Sequence, residues 1–476
     1  MRTAEKVSNT ILAGAGYLCV GVVFYYSYHY LWSRDRHFTE ALGPIIYLII
    51  PGALACLFFV SLRWKPAYKV NLSLSCSSFI FSLLVAEGWL LWISSAEPEI
   101  ATRREALLKA AQESGMQVDT RTPLEFIRDL KSAGIDAVPA VAPINVLKQQ
   151  NDGSLKSAVS VNGVEFLPLG GIANTVTVLC NETGQYVTYH SDEHGFHNPE
   201  GLWEFANIDV AAVGDSYTSG FCVPSDKNAV ALIRRHYPAT VNLGMGGNGS
   251  LAQLASVKEY LPSLKPKFVL WFHFEGNDLE DLRRESKSTL LRRYLETDYR
   301  QGLVNRQREI DLALRQYVGS ELARKQSKAQ KSPSDYGVAK RLSRISGVSR
   351  FSHLRERLGL SHGMHTADKA NMELFSQILR QAKASIARWE GKLLFVYLPA
   401  WERYSQWPMT DENRQAVRAI TKTLDIPMLD VHATFHATGD PLASFPFRLG
   451  AAHYSEHGYR LVAESILGAL SDGTSK

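Results

Sequence analysis

Three apolar runs near the amino terminus constrain this chain most, because each is long enough to cross a lipid bilayer as a helix. They extend over residues 11–32, 42–62 and 75–93, and a transmembrane helix needs about 17 to 25 residues. Buried core helices are the alternative, but the short linkers between the runs carry Arg and Lys side chains, which favours membrane spans. We therefore expect residues 1–96 to form an anchor of three transmembrane helices.

The residues that flank these runs predict how the anchor is oriented. An aromatic tract at residues 28–32 is typical of a membrane interface and differs from the small-residue exit of a cleaved signal peptide. A cytoplasmic amino terminus places most of the flanking Lys and Arg residues inside, as the positive-inside rule prefers. Three crossings then put the rest of the chain outside the cytoplasm, which is the periplasm if the organism is a Gram-negative bacterium.

Beyond the anchor, the chain divides into two regions with different patterns. Residues 97–205 combine helix-like segments at 103–115 and 123–133 with strand-rich sequence at 175–180, so we expect an accessory α+β region. In residues 206–476, short β-branched runs alternate with helix-length segments, which predicts an α/β sandwich with a parallel sheet. The predicted strands are residues 208–213, 239–243, 268–272 and 393–398.

A basic interval separates the third and fourth of these strands. Residues 283–360 hold 19 Lys and Arg against 8 Asp and Glu residues, an excess of 11 in a chain whose net charge is +5. The interval predicts a helical insertion, and its charge suits contact with anionic lipid headgroups or an acidic polysaccharide. A solvated helical cap is the alternative. Nucleic acid is not an expected partner of a region outside the cytoplasm.

Four short segments that follow the predicted strands carry the candidate chemistry. Ser216 comes directly after a strand, in a Gly-Asp-Ser sequence at the start of the next helix, and is a candidate nucleophile. The glycines of residues 242–250 let backbone amides approach a ligand, and the lysine of a phosphate loop is missing. Residues 275–278 place an asparagine at the same edge of the sheet. His453 precedes an amphipathic helix at 459–470.

Two other interpretations of these segments are disfavoured. Thr218 stands where the Gly-x-Ser-x-Gly elbow of α/β-hydrolases has its second glycine. His453 and His457 have the spacing of a zinc pair, but Tyr454 occupies the glutamate position of His-Glu-x-x-His. Zinc is therefore not expected, and a serine nucleophile with an imidazole base needs neither a metal nor another cofactor.

Together and in this order, the four segments resemble the sequence blocks of the SGNH (GDSL-like) hydrolase family. They match as Gly-Asp-Ser, Asn-x-Gly-x-x-Gly, Gly-Asn-Asp and His-x-x-x-x-Gly, and the resemblance covers about residues 207–283 and 391–468. It implies a flavodoxin-like three-layer sandwich that carries a serine hydrolase site. Ser216 would be the nucleophile and His453 its base. The implied oxyanion-hole donors are the amides of Ser216 and Gly247 and the Asn277 side chain.

One position departs from the family pattern. SGNH hydrolases usually carry an aspartate two or three residues before the histidine, where this chain has Gly450 and Ala451. A Ser–His dyad is therefore our default interpretation, and the group that orients His453 stays open. The alternatives are a backbone carbonyl or an acid from elsewhere, such as Asp430, Asp440 or Glu456.

The pairing of Cys180 and Cys222 is also open. They are the two cysteines outside the apolar runs, and an oxidising compartment would allow a disulfide between them. Two separate buried thiols fit the sequence equally well.

The site and its setting together predict an ester as substrate. We expect a serine esterase or acyltransferase that acts on O-acyl, foremost O-acetyl, esters of an envelope polysaccharide or glycan, because family members of this layout resemble carbohydrate O-acylesterases and acyltransferases. A lipid esterase or lysophospholipase is the second reading. A catalytically silent binding or scaffold subunit of polysaccharide assembly is the third, and the missing aspartate favours it.

Overall fold

The computed structural model describes most of the chain in two compact units. The described residues are 2–32, 45–95, 112, 115, 117–161, 163–329, 369–405, 409–448 and 452–474. One unit is formed by the amino-terminal helices, and the other holds the accessory region together with the α/β region. Most of the helix predicted at 103–115, the later part of the basic interval, and both Gly450 and Ala451 lie outside the described residues.

The apolar amino-terminal sequence forms helices. These are α1 (Arg2–Trp32), α2 (Ile50–Ser61), which follows a π-helical turn at Ile45–Ile49, and α3 (Pro66–Ser95). Two stretches, Thr3–Tyr28 and Pro66–Glu87, are long and apolar enough to cross a bilayer. At 12 residues, α2 is shorter than a span. The described residues thus contain two candidate spans, whereas the sequence predicted three. A signal sequence or a soluble core helix can meet the same criteria.

The accessory region is built from short elements. In chain order they are α4 (Pro123–Ser132), β1 (Ala137–Pro139), α5 (Pro143–Val146), β2 (Leu147–Gln149), β3 (Leu155–Ser157), β4 (Ser160–Val161), β5 (Val164–Glu165), β6 (Val176–Cys180) and β7 (Val187–His190). A helix was predicted at 123–133, and α4 confirms it; a capping box between Thr122 and Glu125 starts this helix. Strand β6 pairs in parallel with β1 and antiparallel with β7.

The α/β region forms a five-stranded parallel sheet. Its strands are β8 (Val210–Val213), β9 (Thr240–Asn242), β10 (Phe268–Phe274), β11 (Lys392–Leu398) and β12 (Met428–Asp430). Their spatial order is β12-β11-β10-β8-β9 with every pair parallel, which is the flavodoxin-like order. The four predicted strands are all present, and the predicted parallel sheet is confirmed. The short edge strand β12 was not predicted.

Helices connect the strands and continue to the carboxyl terminus. They are α6 (Ser216–Ser219), α7 (Ala229–Arg234), α8 (Ser250–Leu264), α9 (Asp278–Glu285), α10 (Thr289–Arg292), α11 (Gln307–Ala329), α12 (Lys369–Ala387), α13 (Glu412–Thr423), α14 (Val431–Ala437) and α15 (Glu456–Thr474). Single turns of 3-10 helix lie at Leu202–Glu204, Arg293–Leu295, Leu303–Asn305, Trp401–Tyr404 and Pro441–Ser444. The described part of the basic interval is thus helical.

Alternating side chains of the sheet divide the core into two layers. On β8, Val210 and Ala212 pack with α7, α14 and α15, whereas Ala211 and Val213 pack with α8 and α12. This follows from the two-residue period of a strand, because a parallel strand covered on both faces needs apolar side chains on each. The result is a three-layer sandwich with the sheet in the middle.

The central strand should tolerate truncation poorly. Leu270 on β10 is fully buried, whereas Leu312 on α11 is 65% exposed. We expect Leu270→Ala to lower the free energy of unfolding by about 2 to 5 kcal/mol through lost burial and a residual cavity. The control Leu312→Ala should change it by about 0.5 kcal/mol or less. Denaturant or thermal unfolding measures both, and equal losses would contradict this core assignment.

Candidate active site

Ser216 lies at the carboxyl edge of the sheet, at the first position of the one-turn helix α6. The Asp215 side chain caps this turn by accepting the Tyr217 N–H at 2.9 Å. Gly220, with φ of +83°, ends it. Gly214 is required because a Cβ there would lie 2.9 Å from the Cβ of Phe272. The sharp strand-to-helix turn therefore presents the Ser216 hydroxyl at the end of β8.

His453 meets Ser216 from the far end of the chain. Its Nε2 lies 2.8 Å from the Ser216 Oγ, across 237 positions of sequence. The rings of Tyr217 and Phe221 pack beside the imidazole, at centroid distances of 4.8 and 5.0 Å. This geometry lets the serine hydroxyl donate its hydrogen to an imidazole nitrogen, which is the contact that a serine nucleophile and its base require.

A residue that the sequence did not single out contacts the other side of the imidazole. The two carboxylate oxygens of Glu182 lie 3.0 and 2.9 Å from the Nδ1 of His453. One of them also accepts the backbone N–H of His453 at 3.0 Å. Glu182 belongs to the turn between β6 and β7, and no motif marks it. The missing aspartate before His453 was the one signal that a carboxylate had to come from elsewhere.

The three acids considered for this position are engaged elsewhere. Asp430 is bound by two arginines of α13, with the shortest contact at 2.8 Å. Asp440 pairs with Arg448 at 2.8 Å, and Glu456 is exposed in the first turn of α15. None of the three is therefore the carboxylate at His453, and of the interpretations left open the structure shows an acid from elsewhere, Glu182, in place of a Ser–His dyad.

The glycine-rich segment brings Gly247 to the same place as Ser216 and His453. Gly247 has a φ of +71°, and a Cβ there would lie 2.9 Å from the Cγ2 of Ile144. The Asn242 side chain fixes the loop, since its amide donates to the Thr218 carbonyl at 2.8 Å and its oxygen accepts the Gly244 N–H at 2.9 Å. The asparagine of the Asn-x-Gly-x-x-Gly sequence thus joins this loop to α6.

Asn277, the third predicted oxyanion donor, occupies the adjacent strand end. It precedes α9 after β10, and its Oδ1 is buried without a hydrogen-bond partner among the described residues. It is not among the residues that line the cavity beside Ser216. The structure therefore brings Ser216, Gly247 and His453 to one cavity, and Asn277 is not part of the lining.

The cavity at these residues measures about 380 Å³. Among the described residues that line it, none is an Asp, Glu, Lys or Arg, so this lining suits an uncharged part of a ligand. The accessory region supplies much of the wall. Its contributions are Ala140, Ala142, Ile144, Asn145, Leu179 and Tyr189.

The family comparison agrees with this arrangement. The model of the GDSL-like lipase/acylhydrolase family matches residues 212–461, which is just over half of the chain. The chain belongs to this family. It is therefore a serine hydrolase of the SGNH type. Glu182 and all of the accessory wall lie outside the matched residues.

Solved structures with similarity to this hydrolase are distant. A putative lipolytic protein of the G-D-S-L family from Desulfitobacterium hafniense is 14% identical, with 55% of this chain and 98% of that chain covered and a TM-score of 0.30. A catalytic mutant of an acetylxylan esterase from Geobacillus stearothermophilus is also 14% identical, with 55% and 92% covered and a TM-score of 0.31. No curated protein matches this chain. These similarities are too low to inform its substrate.

A disulfide joins the accessory region of the hydrolase to the segment after α6. Cys180, at the end of β6, is bonded to Cys222, and their Cα atoms are 5.7 Å apart. Cys222, Glu182 and His453 also hold potential metal-ligand atoms within 4.8 Å of one another. A bonded sulfur is not the thiolate that metals prefer, and the other two groups already contact each other. This cluster therefore suits a hydrogen bond better than an ion.

Buried carboxyl groups lie beneath the site. Burial, with the Asp278 carboxyl nearby, raises the pKa of Asp215 to about 7. Burial also raises the pKa of Asp281 to about 7 and that of Glu285 to about 8. Backbone N–H groups at the start of α8 donate hydrogen bonds to Glu285 and oppose this rise. Asp278 is fully buried and its pKa is raised well above the ordinary range for the same reason. Near neutral pH, a substantial fraction of these carboxyl groups is therefore protonated.

These groups make the hydrolase less stable at alkaline pH. Their pKa values are higher in the folded chain than in the unfolded one, where carboxyls titrate near 4. The folded state therefore binds more protons between about pH 5 and 8, and the free energy of unfolding should fall as pH rises through that interval. Between pH 5 and 8, the Glu285→Gln variant should lose less of its free energy of unfolding than the unmodified protein, as measured by thermal unfolding. Exposed Glu200→Gln is the control. If stability falls with pH at the same slope in both variants, Glu285 does not contribute to this pH dependence.

The backbone at Gly247 should be sensitive to a single methyl group. Gly247→Ala adds a Cβ against Ile144 at a positive φ, so the amide has to move, and kcat/KM for an ester should fall by about tenfold or more. Gly319 on α11 has open space around it, so Gly319→Ala should keep the original activity. Steady-state kinetics on p-nitrophenyl acetate compares them, and full activity of Gly247→Ala would argue against an oxyanion role.

Proposed function

We propose that this hydrolase is a membrane-anchored, extracytoplasmic esterase or acyltransferase for O-acyl esters, foremost O-acetyl esters, of an envelope polysaccharide or glycan. The observation that carries the proposal is the 2.8 Å contact between the Ser216 Oγ and the His453 Nε2. It lies at an uncharged cavity that the accessory region helps to line. A scaffold role would not require this contact.

Ester cleavage would begin with acylation of Ser216. Its Oγ attacks the ester carbonyl carbon while His453 Nε2 accepts the hydroxyl proton. The carbonyl oxygen becomes an oxyanion, stabilised by the backbone N–H groups of Ser216 and Gly247 and by the Asn277 amide. Removing one such donor costs about 3 kcal/mol in other enzymes. The intermediate collapses as His453 returns the proton to the leaving sugar oxygen, which yields acyl-Ser216.

The second half-reaction decides whether the protein is an esterase or a transferase. His453 accepts a proton from an incoming hydroxyl group, whose oxygen attacks the acyl carbon. His453 then returns this proton to the Ser216 Oγ as the bond between the acyl carbon and Ser216 breaks. Water gives the free acid, whereas a sugar hydroxyl gives a new ester. Both reactions use the same residues, so the acceptor is set by what the cavity admits.

The size and polarity of the cavity support a short acyl group. About 380 Å³ is at the lower end of small-molecule sites, which span roughly 300 to 1,000 Å³. The lining offers apolar contacts from Ile144, Leu179 and Met245, which suit the methyl group of an acetate and one face of a sugar ring. Burial of a long lipid chain would need more volume.

The setting supports a substrate outside the cytoplasm. We infer that the amino-terminal helices form a multi-pass anchor of three spans, in which α2 and its preceding π-helical turn form the short middle crossing. In the same proposal, the basic interval at 283–360 contacts an anionic surface, either lipid headgroups or the polysaccharide itself. A disulfide between Cys180 and Cys222 also fits an oxidising compartment.

A fluorophosphonate probe tests the nucleophile. We expect the probe to label the full-length protein, and Ser216→Ala to abolish both labelling and ester hydrolysis because the attacking oxygen is lost. Ser320→Ala, on α11, is the matched control and should keep both. Absence of labelling in the unmodified protein would favour a silent scaffold.

Acyl-chain preference tests the substrate. We expect kcat/KM to be higher for p-nitrophenyl acetate than for long-chain p-nitrophenyl esters, because the cavity has little room for a long chain. Release of acetate from acetylated oligosaccharides by the same protein, lost in Ser216→Ala, is the direct measurement. A strong preference for long chains would contradict the O-acetyl proposal and favour a lipid esterase.

A further inference from the structure

The part of the chain outside the matched family region supplies a carboxylate to the proposed active site. Glu182 is 271 positions from His453 in sequence, yet both of its oxygens lie within 3.0 Å of the imidazole Nδ1. The side chains are 17% and 16% exposed, so the contact is largely shielded from water. A shielded pair of this kind is stronger and better fixed than an exposed one.

This contact fixes which imidazole nitrogen carries the hydrogen. A carboxylate accepts but cannot donate, so the Nδ1 facing Glu182 holds the N–H. The Nε2 is then the unprotonated acceptor, and it is the nitrogen 2.8 Å from the Ser216 Oγ. When Nε2 takes the serine proton, the negative charge of Glu182 stabilises the imidazolium that forms.

The turn that carries Glu182 is held by a disulfide on one side and by hydrogen bonds on the other. The Cys180–Cys222 disulfide binds the end of β6 to the segment just after α6. On the opposite side, the Asn181 amide donates to the Asp119 carbonyl at 2.9 Å, and the Asp119 N–H donates to the Gly184 carbonyl at 2.6 Å. Glu182 lies between these attachments, two residues from the disulfide.

We propose that Glu182 is the positioning residue of His453 and that the Cys180–Cys222 disulfide holds it within reach, so that reduction of this disulfide lowers activity. The proposal rests on the proposed function, because it concerns the same site. The disulfide breaks by exchange with a dithiol, which forms two protein thiols and leaves the dithiol as a cyclic disulfide. The turn is then attached on one side only, and the imidazole loses its fixed partner.

The first experiment substitutes Glu182 in the full-length protein. Glu182→Gln should lower kcat for p-nitrophenyl acetate on the order of 10³-fold, because the amide can donate to Nδ1 and favour the wrong tautomer. KM should change little. The acid limb of the kcat/KM profile should move to lower pH, because the imidazolium loses its neighbouring anion. Glu182→Asp, which keeps the charge on a shorter arm, should recover part of kcat.

Controls separate this role from a structural one and from the nucleophile itself. Exposed Glu200→Gln should match the unmodified protein. Glu182→Gln with unchanged kcat and an unchanged pH profile would overturn the positioning role while leaving the Ser216 proposal intact. If the unmodified protein neither hydrolyses the ester nor reacts with the fluorophosphonate, the proposed function fails, and the positioning role fails with it.

The second experiment addresses the disulfide. Treatment with dithiothreitol should lower kcat by about tenfold or more in the unmodified protein, since a displaced carboxylate no longer fixes the base. The double variant Cys180→Ala/Cys222→Ala should start at the reduced level and not respond to dithiothreitol. Because Cys19, Cys56 and Cys76 remain in the double variant, an effect of dithiothreitol through these cysteines would still be seen there. If kcat is unchanged when reduction of the Cys180–Cys222 disulfide has been verified, the proposed role of this disulfide is wrong.

Discussion

The parallel strand order is the constraint on which the site depends. Because β8 lies between β9 and β10, the connections after β8 and β10 leave toward opposite faces, and a crevice opens at the carboxyl ends of these strands. Ser216 follows β8, the glycine-rich loop follows β9, and Asn277 follows β10. The sheet thus collects at one edge three segments that are far apart in sequence. The loop before α15 then adds His453 from the carboxyl-terminal end.

The family fold alone does not supply every residue that contacts His453. The imidazole contacts the family sheet through Ser216 on one side and the accessory region through Glu182 on the other. The same region lines half of the cavity, where Ile144 lies against Gly247. Orientation of the base and shape of the pocket therefore come from one added segment, so a change there can affect both. This coupling explains how an aspartate can be missing beside His453 without loss of a carboxylate at its Nδ1.

The sequence predicted those elements and site residues that leave a periodic pattern or a contiguous motif. The strands at 208–213 and 268–272 were predictable because both faces of a central strand are apolar, whereas β12 is three partly exposed residues with no such signal. Ser216 and His453 were predictable from short motifs, and the structure brings them together. Glu182 was not, because a glutamate in a turn looks like any solvated acid until the tertiary contact forms. The middle apolar run predicted a full span, whereas α2 has 12 residues and follows a π-helical turn at Ile45–Ile49.

The protonation state of buried Asp215 affects which group accepts the hydrogen of the Ser216 hydroxyl. Its hydroxyl has two neighbouring acceptors, the His453 Nε2 at 2.8 Å and the Asp215 Oδ2 at 3.4 Å. An ionised Asp215 would compete with the imidazole for the serine hydrogen. Burial and the nearby Asp278 raise the pKa of Asp215 to about 7, so below that pH its carboxyl is largely neutral and a weaker acceptor. Below about pH 7, the raised pKa of Asp215 thereby leaves the hydroxyl to the base, although the buried acids make the folded state less stable at higher pH.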